Sequence, residues 1–134
     1  MTVLLDTHAA IWLATDNASL GKRSRALANE ALAVDRLAVA SISFWEIAML
    51  IAKGRLQALM PPADLRARLL DAGMNEIALT GEIALLAAGL DGLPGDPADR
   101  FIAASAIVHQ ATLVTADERL LDWKHGLKRQ NAAK

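Results

Sequence analysis

Three acids in this sequence stand just past short apolar runs. Asp6 follows TVLL, Glu46 falls in the first turn of the helix that follows LAVA, and Asp117 comes directly after TLVT and one alanine. A fourth, Asp99, lies in DPAD, where Asp96-Pro97 opens another apolar segment. In an open parallel sheet all strand carboxyl ends lie along one edge, which is where α/β proteins build their sites. Carboxylates gathered there repel, and they raise one another's pKa unless something neutralises them. A hard divalent cation does so: Mg²⁺ or Mn²⁺ prefers oxygen ligands and keeps several waters. With no Cys, and no His at ligand spacing with the acids, zinc does not fit. One or two such ions suit phosphodiester hydrolysis, activating a water and offsetting charge on the phosphate oxygens.

Each acid also has a plain structural reading. Asp6 or Thr7 caps the first helix, and Ser43-x-x-Glu46 reads as a capping box. Asp96-Pro97 is an N-cap followed by proline at N1, with Asp99 complementing the helix dipole, and Asp117 caps ERLL. Singly, each residue is most simply a cap. Their recurrence along one edge is what points to chemistry.

The elements that must position these acids alternate. Strands are expected at about Thr2 to Leu5, RLAVA, NEIAL and TLVT, with GLKRQ a candidate edge strand. Between them, helices are expected over THAAIWLA and over KRSRALANEALA, the latter burying Leu27 and Leu32. SFWEIAMLIAK is closed by Gly54, and PPADLRARLLDAG runs from proline in its first turn to Gly73 at its end. TGEIALLAAGL, ADRFIAASAIVHQ and a final turn at DERLLDW complete the set, and DGLPGDP is the most turn-rich segment. The alternation implies an α/β fold, a central short parallel sheet flanked by helices on both faces, in one domain over 1–134.

Composition agrees. Hydrophobic residues make up 54% and charged residues 22%, which excludes disorder, while 4% aromatic content without Tyr argues against a β-sandwich. Absence of cysteine rules out a disulfide framework and favours a cytoplasmic home. The start lacks the basic leader of a signal peptide, and no apolar run approaches the roughly 18 residues a membrane span needs. A net charge of −1 provides no global field for nucleic acid, so any attraction must be local. The closing stretch with Arg119, Lys124, His125, Lys128, Arg129 and Lys134 is basic, as a frayed, solvated tail would also be.

LLDTHAAIWL, SISFWEIA, DPADRFIAASA and TLVTADERLL resemble, in that order, the motifs of PIN-domain ribonucleases, above all the VapC toxins of bacterial toxin–antitoxin pairs. The resemblance covers essentially the whole chain. It implies a PIN-like fold and a Mg²⁺- or Mn²⁺-dependent endoribonuclease that cuts structured cellular RNA such as transfer or ribosomal RNA. It also implies a homodimer silenced by a cognate antitoxin whose tail occupies the cleft. The family's acidic positions fall on Asp6, Glu46, Asp99 and Asp117, as metal-holding and catalytic residues, and Thr115 matches its polar position two before the last acid. Ser43 and Asp96 are supporting residues. One departure is Ala40, where a serine six residues before the glutamate is common; Ser41 stands next to it.

Arg100, Lys124, Lys128 and Arg129 are candidate RNA contacts, with Arg100 better suited to pairing with a neighbouring acid. Lys22, Arg23, Arg25, Lys53 and Arg55 are candidates for steering RNA, or simply a solvated face. His8 is expected to fix the strand-to-helix turn, His109 to be a partly buried hydrogen-bonded residue, and Trp12 and Trp45 to be packing anchors. Met49, Met60 and nearby leucines exceed what one buried helix face requires and suit an antitoxin groove. Other functions fit less well. An aspartate-based phosphatase wants a second Asp two residues after the first, where His8 stands, and a catalytically silent PIN-fold binder gains nothing from crowding four acids.

Overall fold

The computed structural model describes residues 1–57, 60–93 and 96–134. Ala58 and Leu59 of the apolar FWEIAMLIAKGRLQALM stretch, and Pro94 and Gly95 of the turn-rich segment, lie outside the described residues. The chain builds a five-stranded sheet in the order β3-β2-β1-β4-β5, parallel throughout. From β1 (Val3–Leu5) it runs through α1 (Thr7–Ala14) and α2 (Lys22–Ala33) to β2 (Leu37–Ala40). Next, α3 (Ser41–Ala52) and α4 (Pro62–Asp71) lead to β3 (Asn75–Ile77), and α5 (Gly81–Ala88) and α6 (Pro97–Val108) to β4 (Thr112–Thr115). A short α7 (Glu118–Asp122) precedes β5 (Arg129–Asn131).

Strand alternation divides the core into two layers. Val3, Leu5, Leu37 and Val39 point to the face covered by α1 to α4, where they meet Ala9, Ala28, Ile47 and Leu65. Leu4, Ala38, Ala40 and Leu113 point to the other face and pack with Ile83, Ile102, Ala103 and Leu120 of α5, α6 and α7. Both faces are buried, so the inner strands read as continuous apolar runs rather than alternating ones. The register puts Leu5 beside both Val39 and Val114. The residues that follow these three therefore emerge side by side at one rim.

Local expectations fare unevenly. Gly54 and Gly73 take positive φ, 69° and 107°, just past α3 and α4, as helix-closing glycines do. In α2 the deepest residues are Ser24, Ala28 and Ala31, with Leu27 and Leu32 only half-buried, because small side chains let this helix sit close to β1 and β2. The C-terminal stretch is not a frayed tail. Residues Arg129–Asn131 pair with β4, Ala132 is fully buried, and the Lys134 backbone oxygen accepts the Arg23 N–H at 2.7 Å. Lys134 passes so close to Gly21 that a Cβ there would overlap its main chain. Gly21→Ala is expected to lower stability by about 1–3 kcal/mol in thermal or denaturant unfolding, and deleting Lys134 in that background to recover part of the loss.

Candidate active site

Asp6 sits where β1 gives way to α1, and it is 7% exposed. One carboxylate oxygen, Oδ1, caps α1 by accepting the Ala9 N–H at 2.9 Å, and Oδ2 accepts the Thr115 hydroxyl at 2.5 Å. Thr115 ends the neighbouring strand β4, and its Oγ1 also accepts the Asp117 N–H at 3.1 Å. A single buried hydroxyl thus ties two of the acids together across the rim. The Thr7 hydroxyl donates to Ser43 Oγ at 3.0 Å, both groups buried, which fixes the start of α1 against the start of α3. This corrects the capping-box reading of Ser43 and Glu46. Helix α3 begins at Ser41 directly out of β2, Ala40 is its N-cap, and no side chain caps it, so Ser43 is already inside the helix and turned towards Thr7. Glu46 follows and faces the cleft.

The other caps are as read from the sequence. Asp96 caps α6 through the Ala98 N–H at 3.0 Å, with Asp99 in the first turn. Asp117 caps α7 through the Arg119 N–H at 2.8 Å. Capping and cleft-lining coexist, because a cap at the carboxyl edge of the sheet already points into the cleft. Asp6, Glu46, Asp96, Asp99 and Asp117 all line one cavity of about 340 Å³, together with His8, Trp12 and Arg119. Oxygens of Glu46, Asp96 and Asp99 lie within 4.8 Å of one another. These are hard oxygen donors, close enough together to hold a metal ion.

Crowding shows in the protonation of the group. Burial pushes the Asp99 carboxyl up to about 8, reinforced by the charges of Asp117 and Asp96, by a hydrogen bond shared with Asp117, and by Glu46. Asp117 moves the other way. Burial opposes its ionisation, but hydrogen bonds from the Arg119 side chain and backbone and from Asp99 outweigh that and hold it below the usual range. Burial raises Asp6 against the hydrogen bonds from Thr115 and Ala9.

Arg119 is the cleft residue that sequence reasoning missed, having been grouped with the basic tail. One guanidinium nitrogen, Nη2, lies 3.1 Å from Oδ2 of Asp99 and 3.1 Å from Oδ2 of Asp117. Its position two residues past a capping acid was the available signal, since residues at the start of a helix share the cap's surroundings.

The basic residues proposed as RNA contacts do not gather at this cleft. Arg100 donates to the carbonyls of Ala87, Ala88, Leu90 and Leu93, closing the C-terminal end of α5 and the loop after it. Arg129 donates to the carbonyls of Leu120 and His125. Lys124 and Lys128 are exposed and line two other cavities. Arg25 pairs with Asp16 at 2.9 Å, and Lys22, Arg23, Lys53 and Arg55 are exposed. His8 is exposed at the cleft, its ring 6.3 Å from that of Trp12. His109 is exposed rather than partly buried, because α6 ends at the residue before it. Trp12 packs against the core, whereas Trp45 is 51% exposed and anchors nothing, since it points off α3 opposite the buried Ser43 and Ile47.

Arg100→Gln is expected to cost about 2–4 kcal/mol of stability in denaturant unfolding. A second prediction concerns pH. A buried acid with a raised pKa holds a proton in the native state that the unfolded chain has lost, so stability falls as pH rises. Thermal unfolding in EDTA is therefore expected to show stability decreasing from about pH 4 to about 8 and levelling above it. Asp99→Asn flattens that slope. The lowered Asp117 contributes in the opposite sense, and only at more acidic pH.

Comparison with known proteins agrees with the fold and the order of the motifs. The PIN domain profile matches residues 3–125. Ribonuclease VapC22 of Mycobacterium tuberculosis is 38% identical over 125 residues, covering 92% of this chain and 93% of that protein. Among solved structures, VapBC2 from Rickettsia felis bound to a promoter DNA fragment superposes with a TM-score of 0.67 at 19% identity over 98% of both chains. FitAcB from Neisseria gonorrhoeae gives 0.64 at 19% identity, again over 98% of both chains. With its parallel sheet, its acids at the carboxyl edge and this match along almost its whole length, the chain belongs to the PIN-domain family.

Proposed function

We propose that this protein is a metal-dependent endoribonuclease, the toxin of a toxin–antitoxin pair, with Asp6, Glu46, Asp99 and Asp117 as its metal-holding and catalytic acids. The observation that carries the reading is the meeting of these four acids in one cleft of a PIN-domain chain. Support for RNA as the substrate comes from the 38% identity with a protein named a ribonuclease. Support for an antitoxin partner comes from structural neighbours that are toxin–antitoxin complexes, one of them from Klebsiella pneumoniae. The partly buried Met49 and Met60 beside α3 remain the candidate groove for that partner. A homodimer, a cytoplasmic location and transfer or ribosomal RNA as target belong to the same reading. Among the described residues no helix is long and apolar enough to cross a membrane.

The residues fit a hard divalent cation. Their donor set is all oxygen, and Glu46 and Asp99 stand with Asp96 close enough for one ion to be shared. When bound, Mg²⁺ or Mn²⁺ supplies the Lewis acidity that activates water and offsets charge on the phosphate oxygens. Asp6 is oriented by two hydrogen bonds, from Thr115 and from the Ala9 N–H, so that its position costs no rearrangement. Glu46 is placed from the opposite wall through the Thr7–Ser43 contact. Asp99 in the first turn of α6 and Asp117 at the N-cap of α7 stand either side of Arg119, whose Nη2 lies 3.1 Å from an oxygen of each.

The test is cleavage of total bacterial RNA by purified protein with Mg²⁺ or Mn²⁺, and again with EDTA. Wild type with metal is expected to give discrete fragments, and Asp6→Asn to lose on the order of 100-fold or more in rate. Equal cutting by both proteins refutes the assignment of Asp6. Absence of cutting by either, with no growth arrest on expression, favours a silent binding module instead.

A further inference from the structure

The acidic cleft already contains a cation of the chain's own. Arg119 bridges Asp99 and Asp117 through a single nitrogen, with its Nε a further 3.3 Å from Oδ1 of Asp117. Its backbone is held by the cap bond to Asp117, so the α carbon cannot leave, but the side chain is 51% exposed on its solvent side. The same residue also lines an adjoining cavity of about 540 Å³, whose wall carries Asp91, Glu118 and Asp122. A guanidinium that leaves the first pair of carboxylates has three others on the wall of this adjoining cavity, which also carries Lys124. Sequence and fold thus place a tethered cation between two acidic basins.

We propose that Arg119 is an exchangeable internal counter-ion: it occupies the Asp99–Asp117 pair in the absence of a divalent ion and gives the pair up, turning towards the Asp91–Glu118–Asp122 side, when the ion binds. This rests on the metal-dependent reading above and goes beyond it by assigning a residue outside the four acids. Guanidinium and ion compete for the same carboxylate lone pairs, so binding of one weakens binding of the other. Arg119 then sets the ion affinity of the site. It also holds two like-charged groups in place before the ion arrives, which keeps the cleft assembled.

The experiment reads ion binding directly. Protein labelled with ¹⁵N is titrated with Mg²⁺ while the arginine Nε–Hε resonances are followed, Arg119 being assigned by its loss in Arg119→Gln. Calorimetry with Mn²⁺ then compares wild type with Arg119→Gln and Arg119→Lys, their folding checked by circular dichroism. Expected results are movement of the Arg119 resonance with the same midpoint as ion binding, and about tenfold tighter Mn²⁺ binding by Arg119→Gln at low ionic strength, from the loss of two exposed ion pairs. Arg119→Lys, which keeps the charge but not the fork, should also bind more tightly than wild type. If the ion binds while the resonance stays fixed, or the Gln variant binds no tighter, the proposal for Arg119 is overturned and the metal reading stands. Absence of heat with Mn²⁺ in all three proteins overturns the metal reading and this inference together.

Discussion

Like charges held at one rim are the constraint around which the rest of this molecule is arranged. A parallel sheet has no choice about where its strand ends point, so acids that follow β1, β2 and β4 converge whether or not they repel. Four of the five cleft acids are held by something neutral or positive. Asp6 takes a hydroxyl and a helix N-terminus, Asp96 and Asp117 take helix N-termini of their own, and Asp99 keeps a proton or an arginine. Helix N-termini supply partial positive charge at the points where these acids lie. The caps are thus part of the electrostatics of the cleft, and the two readings of each acid describe one physical arrangement.

The scaffold behind the rim is built for close approach. Ala38 and Ala40 of β2 share a core layer with Ala103, Ala104 and Ala106 of α6, small residues that let the helix carrying Asp99 sit close over the sheet beside Leu4, Ile102 and Leu113. Arg100, next in sequence, donates to four carbonyls at the end of α5 and in the loop after it, and locks that helix start from behind. Asp99 is held forward into the cleft by the same turn of helix. Stability and site geometry are coupled at this point, through adjacent residues with opposite assignments.

Much of the fold was legible because its signals are periodic and local. β4 follows from an apolar run bounded by turns, and the caps of α1, α6 and α7 follow from acid placement, whereas β5, only a candidate edge strand at GLKRQ, pairs through the polar Arg129–Asn131. What could not be read depends on partners distant in sequence. Ser43 looked like half of a capping box because nothing local reveals that Thr7, 36 residues earlier, claims its hydroxyl. Arg100 and Arg119 are both arginines beside an acid in a helix start, yet one faces backbone carbonyls and the other the cleft. Only the packing of α5 and α7 tells them apart. The tail looked solvated because its pairing with β4 and Gly21 joins the two ends of the chain.

The central place of β1 carries a further implication. The first of the five strands in chain order is flanked by β2 on one side and by β4 on the other, and the hydrogen bond that orients Asp6 closes a loop of 109 residues. Contacts of such long range form late, because their loop-closure entropy is spent before any contact rewards it. A nascent chain halted before residue 112 possesses Asp6, Glu46 and Asp99 but no strand beside β1 on that flank and no Thr115. Interrupted translation at that point therefore yields fragments that carry three of the acids without the β4 side of the rim that orients Asp6.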